Sequence, residues 1–168
     1  MKNTGKYIYY LAIIFILFVA GCTSGNRMGP LGSTHRHADI KVYVLGNPID
    51  FSVQKFQVQV QHVHFENRDG DIVHTHAVGV TLGHLFDSLG MSIDNECLTL
   101  DTGNKYCSQG NAQLKVFIQR QGTNWQQIFD PQDYAILEFD KILVTYGAED
   151  EEGIKEQQES VTDKAPVT

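Results

Sequence analysis

Three stretches of this chain alternate apolar and polar residues with a period of two, a pattern that restricts the fold to one built around a sheet. In HADIKVYVLG, Ala38, Ile40, Val42 and Val44 alternate with Asp39, Lys41 and Tyr43, so one face of a strand is apolar and the other polar. KFQVQVQ alternates strictly, with Phe56, Val58 and Val60 against Gln57, Gln59 and Gln61, and AQLKVFIQR does the same further on. DIVHTHAV and DKILVTYG read as two more strands. Only TLGHLFDSLG, residues 81–90, has helical spacing inside this region: Leu82, Leu85, Phe86 and Leu89 form a stripe, Thr81 is the N-cap and Gly90 the stop. His84 falls on the opposite flank and reads as a surface residue. A strand pair, one helix and further strands predict a single small α+β domain, its mixed or antiparallel sheet covered by one short helix.

The alternation changes phase near Gln61, because Val63 and Phe65 are odd-numbered where Phe56, Val58 and Val60 are even. A β-bulge at that point sends Val63 and Phe65 inward and turns His62 and His64 outward. NRDGD, residues 67–71, then supplies a turn.

The ends of the chain have a different character. Lys2 and Lys6 precede an apolar run from Tyr7 to Ala20 that ends in V-A-G-C, which resembles a lipoprotein signal in which Cys22 becomes the lipid-bearing residue. An uncleaved signal anchor with an ordinary cysteine is the alternative, and either reading places the remainder in an extracytoplasmic, membrane-anchored setting. Residues 1–21 are thus read as signal peptide and 22–34, rich in Gly and Ser, as a flexible tether. Residues 35–147 form the domain, long enough for one modest core. Residues 148–168, charged and without aromatics, are expected to be a disordered acidic tail. The formal net charge of −7 excludes the concentrated basic face a nucleic-acid binder requires.

Cys97 and Cys107 flank a predicted hairpin turn at Thr102–Gly103, and an exported chain matures where thiols are oxidised, so a local disulfide is expected. The nine residues between them do not give the C-x-x-C arrangement of a redox-active pair.

All seven histidines lie between His35 and His84, and six of them form H-x-H pairs: His35 with His37, His62 with His64, His74 with His76. Residues two apart on a strand point the same way, about 6.5–7 Å apart at the backbone, so each pair is a chelating unit. The second and third pairs, on adjacent strands, supply four ligands, with His35 and His37 assisting. Imidazole without thiolate suits copper or zinc and not calcium or magnesium. Asp39, Glu66, Asp69 and Asp71 are close enough in sequence to orient the rings, with the turn itself the preferred role for Asp69 and Asp71. The competing readings are a wet sheet face filled with polar residues and a pH sensor built from clustered imidazoles.

HRHADIKVYVLG, IDFS, HVHFENRDGD, HTHAVGVTLGHLFDSLG, the C-x9-C hairpin and DKILVTYG together resemble a family of small exported archaeal proteins of unassigned role, some labelled protein-disulfide isomerase. The label implies thiol–disulfide exchange, yet the thioredoxin-like C-x-x-C that such chemistry uses is missing. QHVHFENRDGD is locally similar to the copper-ligand strand of copper–zinc superoxide dismutases, whose later histidine and aspartate ligands have no counterpart here. In outline the domain is similar to a β-grasp. Three functional classes follow: an anchored module binding copper or zinc, a thiol–disulfide isomerase-like protein, and a metal-independent surface interaction domain.

Overall fold

A computed structural model describes residues 28–165. Residues 1–21, read above as a signal peptide, and Cys22 lie outside the described residues. Among the described residues no helix is long and apolar enough to cross a membrane.

The fold is α+β, as the periodicities predict. Strands β1 (Arg36–Val44), β2 (Asn47–Pro48), β3 (Val63–His64), β4 (Ile72–Thr75), β8 (Gln113–Gln119), β9 (Gln126–Ile128) and β10 (Lys141–Gly147) make one sheet, ordered β3-β4-β1-β10-β8-β9 with β2 paired to β1. β5 (Ser92–Ile93), β6 (Cys97–Thr99) and β7 (Lys105–Cys107) make a second, three-stranded sheet. The pairing β1–β10 is parallel and the other neighbours are antiparallel, and the strand order places the first and last strands side by side in the middle of the main sheet.

Helix α1 (Leu82–Ser88) buries the predicted stripe of Leu82, Leu85 and Phe86 in a core shared with Ala38, Ile40 and Val42 of β1, Val116 and Ile118 of β8, and Ile142 and Val144 of β10. His84 does more than face solvent. Its backbone N–H donates to Thr81 Oγ1 (3.2 Å) while its Nδ1 accepts from the Thr81 N–H (3.0 Å), which closes a capping box with imidazole in the place usual for Glu or Gln.

Two expectations need correction. KFQVQVQ is not a strand: Gln54–Phe56 is a 3₁₀ turn, Val58 has a left-handed φ of 49°, and Val58 and Val60 are exposed. The cause is Gln57, whose buried side chain donates to Phe51 O (2.8 Å) and accepts from Arg68 N–H (2.9 Å). With the polar residue used as an internal clamp, the apolar ones beside it turn outward. No bulge is therefore needed to reverse the phase. Val63 and Phe65 are buried as expected, but His64 is buried too and not turned to solvent. The clamp also brings the 67–71 loop against Phe51 and Ser52, where a Cβ on Gly70 would sit 2.4 Å from Ser52 N. Glycine is required by that approach.

The second correction concerns residues 148–168. Instead of a disordered tail, Glu151–Ser160 form helix α2, capped by Asp150, whose carboxylate accepts from Gly153 N–H (3.0 Å), with Glu151 and Glu152 in the favourable first turn. Ile154, Gln157 and Val161 lie on one face and are buried, as is Ala165. The sheet offers them a place: Ile72 and Leu143, opposite Asp39 and Lys41 in register, are buried apolar residues outside the main core. Buried Asp39 accepts from Thr162 Oγ1 and from the backbone N–H of Lys164 and Ala165 (3.0 Å each), and Tyr43 meets Ser160 at 2.8 Å. Composition alone undervalued a few apolar residues that find a waiting surface. Residues 28–34, expected to be free tether, are likewise fastened, with Gly29 N–H donating to Val78 O and Gly32 N–H to His76 O.

Candidate metal centre

The β1–β4 ladder sets His37 directly opposite His74, and the β3–β4 ladder sets His64 opposite His74 from the other side. Three strands thus contribute one histidine each to a row across the sheet. One step beyond the strand ends lies a second row, His35 and His76, where His76 N–H donates to His62 O (2.9 Å). Side chains alternate along each strand, so both rows share a face.

The rings converge. His37 and His74 have centroids 4.6 Å apart, His35 and His76 4.6 Å, and His64 lies 5.0 Å from His76 and 5.8 Å from His74. His35 Nε2 and His37 Nε2 are 3.2 Å apart. Two nitrogens bound at about 2.0–2.1 Å to one tetrahedral ion are about 3.3 Å from each other, so the two rings, hydrogen-bonded here, are also spaced to share an ion. His35, His37 and His74 each place a ring nitrogen within 4.8 Å of the other two, and this group could hold a metal ion.

A cavity of about 520 Å³ opens over the group, lined by His35, His37 and His74 together with Glu66, Asn67, Asp69 and Ile72. Glu66 sets Oε2 3.3 Å from His64 Nε2 and Oε1 3.9 Å from His74 Nδ1. His64 is oriented from behind, since its Nδ1 lies 2.9 Å from the Val60 carbonyl, which can only accept. An N–H donated to a backbone carbonyl is the support a metal-bound imidazole ordinarily has.

Electrostatics favour the ligand form. Burial pushes His74 down to about 4; Glu66 opposes the shift, and neighbouring His37, His64 and His35 reinforce it. His76 is lowered as well, chiefly by burial and then by His64 and His35. Neutral imidazoles present lone pairs, which a metal needs and a proton would occupy.

Of the six histidines expected to act together, five share this face. His62 does not join the ring contacts; it lines a separate cavity with Met28, Val60, Val63, His84, Asp87 and Ser88. The strongest convergence belongs to His35, His37 and His74, which makes the N-terminal pair central and not auxiliary. Of the four acidic candidates, Glu66 touches the rings, whereas Asp39 fastens the C-terminal segment. Asp69 Oδ1 accepts from Asp71 N–H (2.8 Å) within the turn, and Asp71 pairs with Lys41 and Lys164. The Val60 carbonyl was not visible as a partner in the sequence, because its position depends on the Gln57 clamp.

The Cys97–Cys107 disulfide is present and joins directly paired residues of β6 and β7. No family model, curated protein or solved structure matches the chain, so its function rests on the geometry of this site.

Proposed function

We propose that this protein is an extracytoplasmic, membrane-anchored module that binds copper or zinc through His35, His37 and His74. The observation that carries the proposal is the meeting of three imidazole nitrogens, from His37 on β1, His74 on β4 and His35 just before β1, within 4.8 Å of one another. A polar filler would not need that convergence, and a strand face left to solvent would spread its rings apart. An all-nitrogen ligand set selects copper or zinc over calcium and magnesium. The open cavity leaves the ion reachable, which suits storage, delivery or scavenging. The N-terminal apolar run before Cys22 supports the anchored location.

Elemental analysis and calorimetric titration of the full chain test the proposal. The wild type should retain at least one copper or zinc ion, and the double variant His37→Asn/His74→Asn should lose it while keeping its disulfide and circular dichroism. Equal metal content in the two proteins would remove the proposal.

A further inference from the structure

The described chain enters the fold at a fixed place. Gly29 N–H donates to Val78 O (2.8 Å), Gly32 N–H to His76 O (2.6 Å) and Val78 N–H to Ser33 Oγ (2.9 Å), so Met28 is held against the domain beside Val78. An apolar surface surrounds this point. Met28 and Val60, 38% and 40% exposed, line one cavity of about 310 Å³ with His62 and Val63 among its walls. Val78, 40% exposed, lies so near Gly29 that a Cβ there would sit 2.5 Å from its Cγ2. Val58, two residues before Val60, is 56% exposed. Its φ of 49° is a left-handed conformation that a β-branched residue adopts only at a cost. Asparagine or glycine would suit both that backbone and water, whereas a valine turned outward there suits an apolar medium.

We infer that this surface rests on the lipid bilayer, with Val58, Val60 and Val78 set into its outer layer. The inference rests on the anchored location proposed above and names the face of the domain that meets the membrane. Both readings of the N-terminus put the bilayer at or before Cys22, six positions ahead of Met28. An extended chain covers at most about 3.3–3.6 Å per residue, so Met28 stands within roughly 22 Å of the lipid. A domain of this length is roughly 35–40 Å across, so the connection is too short for the opposite side to be turned to the bilayer. The contact is apolar in character, because a chain of net charge −7 gains nothing from anionic headgroups.

The full chain reconstituted in zwitterionic vesicles, with lipids brominated near the headgroup end of the acyl chains, tests this by fluorescence quenching. Val60→Trp/Trp125→Phe and Val78→Trp/Trp125→Phe should both lose emission to the bromolipid. The native Trp125 of the wild type, beside β9 at the opposite edge of the main sheet from β3, should not. Adding Val58→Asn/Val60→Asn, which relieves the left-handed valine and alters only exposed positions, should abolish quenching in Val78→Trp/Trp125→Phe with the circular dichroism unchanged. Quenching absent at both reporters, equal at Trp125, or undiminished by the asparagine pair would each overturn the membrane-facing surface, while flotation of the chain with the vesicles would keep the anchored location. A chain that does not float with the vesicles would remove the anchored location and this inference together. Metal uptake is read separately and is untouched by either result.

Discussion

His37 and His74 face each other across the β1–β4 pair with ring centroids 4.6 Å apart, inclined at 74°. Their strands are antiparallel neighbours, so the pairing register itself, and no loop, sets this approach. A change at either position should therefore act on metal affinity more than on the fold.

His74→Asn should lower metal affinity by more than the about 10–100-fold that loss of a supporting partner costs, because a direct ligand is removed. His62→Asn should leave affinity unchanged, since His62 lines a different cavity. Competition titration against a chromophoric chelator measures both. Equal losses at the two positions would mean that the rings act only as a diffuse histidine-rich surface.

The metal-free chain should lose stability as pH falls. His74 is held at about 4 in the fold against its ordinary 6.5, mainly by burial. Between those values the unfolded chain takes up a proton that the folded chain refuses, so stability is full above 6.5 and declines toward 4. Urea midpoints across that window should fall more steeply for the wild type than for His74→Gln. Parallel slopes would assign the titration to other groups.

Cys97→Ser/Cys107→Ser should cost about 2–3 kcal/mol, the loop-closure freedom restored to so short a loop. Metal uptake should survive, because the cross-link belongs to the second sheet and the histidines to the main one. Denaturant melts read the first effect and calorimetry the second. Catalysis of disulfide exchange, abolished by this variant, would instead revive the isomerase alternative.

Asp39→Ala should detach the C-terminal segment. The carboxylate accepts from Thr162, Lys164 and Ala165 at once, and hydrogen bonds to a buried charge contribute about 1.5–3 kcal/mol each. Hydrogen exchange should show loss of protection throughout α2 with β8 and β10 unaffected. Protection retained in α2 would show that Ile154 and Val161 hold it without the clasp.

What could be read in advance was whatever followed from period and spacing. Ala38, Ile40 and Val42 announced β1; Thr81, Leu82, Leu85 and Phe86 announced α1 with its cap; and Cys97 with Cys107 announced the hairpin staple. The histidine spacing announced convergence on one face, but not which three would meet most closely, because that depends on the register of β3, β4 and β1. KFQVQVQ misled for a physical reason: one buried amide, Gln57, outweighed a perfect alternation by binding Phe51 O and Arg68 N. The C-terminal helix misled in the opposite direction. Its few apolar residues look insufficient until the uncovered face around Leu143 and Ile72 is known, and only the tertiary arrangement reveals it.

The parallel pairing of β1 with β10 joins residues about a hundred positions apart, as Asp39 with Lys141. The histidine-bearing strands, by contrast, are complete by His76. The imidazoles therefore precede, along the chain, the strand that closes the sheet beside them. Contacts of such long range slow closure. The histidine cluster can thus assemble before the sheet is closed beside it.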